Sequence, residues 1–199
     1  MPKTKRIGVY SGTFDPVHAG HIAFALQAMA AAKLDKLYFL PERRPRSKKH
    51  VEHFGHRVAM LNVAVKPHPK LDVLEFDDVS FSVKRTLPKL ETTFPDSRLV
   101  FLVGSDIAEH MGQWQYLERL FATSEILVGV RDTHDAEQLQ ALVASWSVQP
   151  LNAKIIKSHA AKVSSGKIRD ALRARKTTEG LLPSVAKYSN KNWLYISVA

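Results

Sequence analysis

Apolar and polar positions along the chain fall into two alternating kinds of block. Short β-type runs stand at Ile7–Tyr10, Lys36–Leu40, Leu71–Phe76, Arg98–Val103, Glu125–Val130 and Lys154–Lys157, separated by stretches with helical spacing. Ile22, Ala25, Leu26 and Met29 fall at i, i+3, i+4 and i+7, which predicts a helix from near Gly20 with that stripe against a sheet. Phe54, Val58, Leu61 and Val65 predict the next helix, with His56 and Arg57 facing solvent. Val83–Leu90 reads as a returning helix, and 135–146 as another with Leu139, Leu142 and Val143 inward. Ser164 is placed to N-cap a helix whose buried step is Ile168 and Leu172; Val185–Tyr188 reads as a short helical turn, and Trp193–Ile196 packs the terminus. Five or six strands alternating with helices imply right-handed crossovers and one parallel sheet, an α/β doubly wound fold with helices on both faces.

Composition narrows the class of protein. The 199 residues suit one domain over 1–199, with a helical C-terminal portion from about 163. The 45% hydrophobic and 24% charged content is that of a globular chain, and no run reaches the ~20 apolar residues needed to cross a bilayer. The first residues lack the long apolar segment of a secretion signal, so a cytoplasmic location is expected. The absence of cysteine excludes disulfides, a thiolate nucleophile and Cys-based zinc sites. A formal charge of +10 points to an anionic partner.

The candidate chemistry gathers where strands give way to helices. Gly8 to His21 reads as a strand entering a turn and then a helix, with Gly12 and Gly20 expected to let the backbone turn tightly. A helix N-terminus carries unpaired N–H groups and partial positive charge, so a phosphate meets donors there. His18 and His21, three apart at that start, can face one anion; either alone would pass for a capping or solvated histidine. Ser164, Ser165, Lys167 and Arg169 form a second candidate anion site, with an ordinarily capped helix carrying surface charge as the alternative. The run Pro41 to His50 is a basic loop that either receives an anion or is a solvated linker. Gly104-Ser105-Asp106 ends the most apolar strand, where a carboxylate holds ribose hydroxyls in open parallel sheets; capping the next helix is the alternative for Asp106. His50, His53 and His56 lack a nearby carboxylate or fourth ligand and read as solvated, and no metal site is assigned to the protein.

Gly12-Thr-Phe-Asp-Pro-Val-His-Ala-Gly-His21 and Ser164-Ser-Gly-Lys-Ile-Arg169 resemble the two signatures of the nucleotidyltransferases that carry a His/Thr-x-Gly-His motif and a Ser-Ser-Thr-x-x-Arg motif. Within them the chain is most similar to the nicotinate or nicotinamide mononucleotide adenylyltransferases. That likeness rests on His at position 18, Leu40-Pro41 before a basic segment, and the tail Leu182-Pro-Ser-Val-Ala-Lys-Tyr188. The resemblance implies a Rossmann-like fold, transfer of AMP from ATP to a pyridine mononucleotide in NAD biosynthesis, release of pyrophosphate, and Mg²⁺ accompanying ATP with Asp106 or Asp15 as outer partners. It assigns His18, His21 and Arg169 to catalysis. Gly12, Thr13, Phe14, Gly104, Asp106 and Arg131 join the histidines around ATP, as do Ser164, Ser165, Lys167, Ile168 and Arg169. Arg43, Arg46, Lys48, Lys49, Thr86 and Trp114 fall to the acceptor, with Trp114 near the pyridine ring or, on its neighbours alone, in the core.

Three departures stand out: Gly166 in place of Thr, Ser11 in place of the first Gly of Gly-Gly-Thr-Phe-Asp-Pro, and Phe81-Ser-Val-Lys-Arg-Thr-Leu87 where Ser-Tyr-Thr-x-Asp-Thr-Leu is usual. The basic loop also differs from the usual Pro-Pro-His-Lys. ATP use is thus better supported than the acceptor's identity. A pantetheine-phosphate adenylyltransferase or cytidylyltransferase is the enzymatic alternative, against which His18 counts. A basic nucleic-acid-binding protein is the non-enzymatic one, weakened by the lack of aromatics among the charges. No membrane partner is expected, and the sequence is compatible with a homo-oligomer.

Overall fold

The computed structural model describes residues 4–45, 48, 50–130, 136–157 and 163–196. Six parallel strands form one sheet in the order β3-β2-β1-β4-β5-β6. They are β1 (Lys5–Gly12), β2 (Lys36–Pro41), β3 (Leu71–Val73), β4 (Ser97–Gly104), β5 (Ser124–Val130) and β6 (Ala153–Lys157). Between and after them run α1 (Ala19–Ala31), α2 (Phe54–Val65), α3 (Val83–Thr93), α4 (Ser105–Met111), α5 (Leu117–Thr123), α6 (Ala136–Ala144), α7 (Ser165–Arg173) and α8 (Pro183–Lys191). The result is a Rossmann-like α/β fold.

The strands are apolar on both faces because helices cover both. Ile7, Val9, Phe101 and Val128 lie in one cluster with α3 to α6, and Leu37, Phe39, Val100 and Leu102 in the other with α1, α2 and α8. Strand order reverses between β1 and β4, so their carboxyl ends flank the crevice where such sheets bind ligands. Residues 13–18 and 104–106 begin there.

Several elements differ from expectation. The buried face of α1 is Gly20, Ile22, Phe24, Ala25 and Ala28, while Leu26 is 40% exposed. Phe24 turns the helix, because its ring lies over Gly129 of β5, where an added Cβ would come within 2.5 Å of it. β3 stops at Val73 as an edge strand, although Leu74 N–H still donates to Phe39 O at 2.9 Å. α5 was not anticipated; it has seven residues and starts from Tyr116 in the left-handed region. The turn foreseen at Val185–Tyr188 is a full helix that Pro183 opens. No described helix is long and apolar enough to cross a membrane.

At the amino end of the sheet, Arg6 on β1 clamps Glu125 on β5 with two 2.8 Å hydrogen bonds. Its Nε donates to Ala32 O at 2.7 Å, at the end of α1. The hydrogen bond from Arg6 holds the Glu125 carboxyl below its ordinary value. A depressed carboxylate pKa contributes stability above the unfolded value, and that contribution disappears as pH falls through the folded one. Glu125→Gln should therefore cost about 1–2 kcal/mol near neutrality. The gap between the two proteins in urea unfolding should close as pH drops below the ordinary glutamate range; a constant gap down to acid pH would contradict the assignment.

Candidate active site

The loop leaving β1 owes its shape to aromatic packing. Phe14 adopts φ +51°, and its ring fills the space beside Gly12, where a Cβ would sit 2.9 Å from it. Among the described glycines only Gly180 has positive φ, so the tight turn expected of Gly12 and Gly20 is taken by Phe14 instead. Tyr10 meets Phe14, Phe24 and Phe39 with centroids at 5.3, 5.3 and 5.5 Å, a bed of rings beneath the first turn of α1.

His18 and His21 stand on that bed. Their rings stack at 3.7 Å and 27°, and His21 meets Phe14 edge-on at 5.1 Å. His18 is the N-cap of α1, in extended conformation, and its backbone N–H donates to His21 Nδ1 at 3.2 Å. With Nδ1 accepting, a neutral His21 carries its proton on Nε2. His18 is buried and His21 half-buried, as ring stacking beneath a loop requires.

The second candidate segment docks on the same loop. Ser164 N-caps α7, accepting from Lys167 N–H at 3.2 Å as expected. Ser165 Oγ donates to Pro16 O at 2.9 Å, and Arg169 donates through one terminal nitrogen to Asp15 O at 2.5 Å. The same nitrogen stands 3.7 Å from Asp15 Oδ2. Tyr195, in the segment after α8, donates from its hydroxyl to Asp15 Oδ1 at 2.6 Å. Gly180, at φ +78°, accepts from Ala19 N–H at 2.9 Å. Thus the starts of α1 and α7, 146 positions apart in sequence as counted from Ala19 to Ser165, share one loop.

The site also depends on a residue that periodicity placed in solvent. Arg57 is 1% exposed. It donates to Thr13 O at 2.6 Å, Glu42 O at 2.8 Å, Arg43 O at 3.1 Å and Glu52 O at 2.9 Å. One guanidinium ties the loop after β1 to the basic loop after β2 and to the base of α2. Burial pulls its pKa down while Asp15 pulls it up, and an arginine stays charged throughout. No hydrophobic pattern signals such a strut; only an arginine at the one polar position flanking a buried Val58 hints at it.

Other predicted residues sort by position. Thr13 and Phe14 are buried, offering backbone rather than side chain to a ligand. Gly104 is the N-cap of α4, so Asp106 in its first turn is not the cap, and its side chain is exposed. Ile168 serves the core and its N–H donates to Ser164 O at 3.1 Å. Lys167 is exposed, whereas Arg169 turns inward rather than projecting. Thr86 is buried, accepting from Ser82 N–H at 3.0 Å and donating to Asp78 at 3.1 Å, so it braces the start of α3. Trp114 is half-buried, 5.9 Å from Phe81 and at the edge of the core.

Arg43 stacks over Phe54 at 4.4 Å and donates to Phe76 O. Lys48 is exposed overall, yet partial burial of its ammonium and then the like charge of Arg169 lower its pKa; Asp106, Asp15 and Glu42 pull the other way. Arg46, Lys49 and Arg131 lie outside the described residues. Of the remaining histidines, His53 N-caps α2 and His56 bonds the Tyr188 hydroxyl at 3.0 Å.

Cations and imidazoles at the switch point of a doubly wound sheet define a nucleotide-handling α/β enzyme. Residues 9–171 match the cytidylyltransferase-like family, and the chain belongs to it. Within that family it belongs with the nicotinate-nucleotide adenylyltransferases. The Bacillus subtilis (strain 168) protein of that name is 30% identical over 199 residues, covering 97% of this chain and 100% of that one. A Legionella pneumophila (strain Paris) relative is 32% identical over 207 residues, covering 95% and 98%. The fold is shared with Plasmodium falciparum nicotinic acid mononucleotide adenylyltransferase complexed with NaAD, at TM-score 0.79 and 18% identity, covering 96% and 97%.

Arg57→Lys keeps the charge but cannot reach four carbonyls from a single ammonium. It should lower stability by about 1–3 kcal/mol and raise KM for both substrates, because both loops lose their tie. Chemical unfolding with steady-state kinetics checks this; unchanged stability and KM values would show the strut to be dispensable.

Proposed function

We propose that the protein transfers the adenylyl group of ATP to the phosphate of nicotinate mononucleotide and releases pyrophosphate. The observation that carries this reading is the docking of α7's first turn on the loop that opens α1, through Arg169 and Ser165. Two sets of anion-reading side chains then address one triphosphate. Full-length relatives named for this activity support the acceptor assignment.

The attacking oxygen belongs to a phosphate already ionised at neutral pH, so no side chain has to remove a proton. The bond from that oxygen to the α-phosphorus forms as the bond from the α-phosphorus to the bridging oxygen breaks, and the charge leaves on pyrophosphate. His18 and His21 serve the α-phosphate and the departing oxygen. Ser164, Ser165, Lys167 and Arg169 serve the β- and γ-phosphates. Each cation about 4 Å from a phosphate oxygen contributes ~4 kcal/mol at an effective dielectric near 20, before desolvation. Since ~1.4 kcal/mol is a decade in rate, a few contacts that tighten as the bond breaks supply the catalysis.

Lys48 and Arg43 serve the acceptor's phosphate, and Trp114 with Phe81 offers an aromatic wall for its ring. Gly104 and Asp106 serve the adenosine. Mg²⁺ fits this donor set through ATP: Asp106 is an exposed carboxylate, whereas both oxygens of the buried Asp15 side chain face Tyr195 and Arg169. Asp106 would hold the ion's water shell, and the ion would offset charge on the phosphates.

In a pyrophosphate-release assay with ATP, nicotinate mononucleotide should be the preferred acceptor over nicotinamide mononucleotide and phosphopantetheine; preference for phosphopantetheine would refute the reading. His18→Ala and His21→Ala should each lower kcat by about 10²-fold, as removal of one donor to a developing charge does, with KM for ATP changing far less. Equal loss in both parameters, or none, would remove these roles.

A further inference from the structure

Asp15 carries a buried carboxylate, 2% exposed, at the centre of the clasp between the two candidate segments. Arg169 is its nearest cation, yet the guanidinium does not grip the carboxylate. It donates to the backbone oxygen of Asp15 at 2.5 Å and stands off Oδ2 at 3.7 Å, beyond hydrogen-bonding reach. A buried carboxylate facing an arginine ordinarily takes it in a two-pronged clamp, as Glu125 takes Arg6 in this same chain at 2.8 Å twice. What differs at Asp15 is the hydroxyl of Tyr195, 2.6 Å from Oδ1.

The chain goes to some length to deliver that hydroxyl. After α8 ends at its cap Asn192, Trp193 and Tyr195 both adopt positive φ, +55° and +61°. Such conformations are costly for aromatic residues and persist only where the surroundings fix them. They turn Leu194 and Tyr195 into the α1/α2 core, 8% exposed each, while Trp193 stays 77% exposed. Burial, followed by the adjacent Asp15 charge, raises the Tyr195 pKa, so the hydroxyl remains a donor.

We propose that Tyr195 is a positioning residue for the phosphate site, whose hydroxyl saturates one oxygen of Asp15 and so keeps Arg169 from being clamped by the carboxylate. Arg169 is then anchored by a single nitrogen to a neutral carbonyl, and the rest of its fork is left for an anionic ligand. Without the hydroxyl, the buried carboxylate of Asp15 loses the donor on Oδ1, and the guanidinium 3.7 Å away is drawn onto it. This inference rests on the proposed role of Arg169 towards phosphates.

Inorganic tripolyphosphate isolates that role from catalysis, and its competition with ATP can be measured on the full-length protein. Tyr195→Phe should weaken tripolyphosphate inhibition and raise KM for ATP by about tenfold, the worth of one lost charge-assisted contact, with KM for the acceptor unchanged. In an Asp15→Asn background, where no carboxylate competes for Arg169, adding Tyr195→Phe should change tripolyphosphate inhibition by less than about twofold. That second comparison also stands if Tyr195→Phe alone does not fold. The same loss in both backgrounds, or a loss shared between ATP and acceptor, would mean that Tyr195 only stabilises the fold and would overturn the proposal. Should Arg169→Ala leave tripolyphosphate inhibition untouched, the phosphate role of Arg169 fails and the proposal with it. If Arg169→Ala weakens inhibition but Tyr195→Phe does not, the phosphate role stands and the proposal alone is overturned.

Discussion

A single peptide segment, Asp15–Pro16, holds this site together. It accepts from Arg169 and Ser165 of α7 through backbone oxygens and from Tyr195 through its side chain, and it lies three residues before the cap of α1. The carbonyls of a loop are obligatory acceptors that must be satisfied when buried. Here the partners that satisfy them come from the far end of the chain, so closing the loop and assembling the site are one event. Loss of the docking would leave a sheet with an open crevice and no second cationic wall.

That arrangement changes which groups can meet an anion. Helix starts bind phosphates through open N–H groups, but Ala19 N–H is taken by Gly180 and Lys167 N–H by Ser164. In the proposed site, side chains therefore carry more of the charge reading than the bare helix ends would: His21, Lys167 at the surface, Arg169 anchored by one nitrogen, and Lys48 of the basic loop. Arg57 underlies both loops, with four of its five N–H groups given to carbonyls. The carboxylate of Asp15 is taken by Tyr195 and faces Arg169, so it adds little free negative charge where a polyphosphate would lie.

The sheet was legible in the sequence because strands buried on both faces are continuous apolar runs, and all six appear within a few residues of where they were read. Ser164 as a cap and Ile168 as a core residue were legible for the same kind of reason, a local rule with a local cause. What failed was whatever long-range packing decides. The buried face of α1 is set by Phe24 settling over a glycine on β5, four strands away in sequence. Phe14 takes the backbone conformation expected of a glycine because the aromatic bed beneath it repays the strain. Arg57 reads as a surface residue in any periodicity and becomes the most buried charge among the described residues, since the carbonyls it binds belong to loops that meet only in the fold. Tyr195, in a segment read merely as terminal packing, reaches Asp15 across 180 positions.

The proposed chemistry requires both helix starts to address one triphosphate. The most direct measurement is a diffraction structure with a non-hydrolysable ATP analogue bound. One triphosphate should lie with its α-phosphate within about 3 Å of His21 Nε2 and its outer phosphates at that distance from Arg169. An analogue bound to only one of these side chains, with the other turned towards a separate cavity, would contradict it.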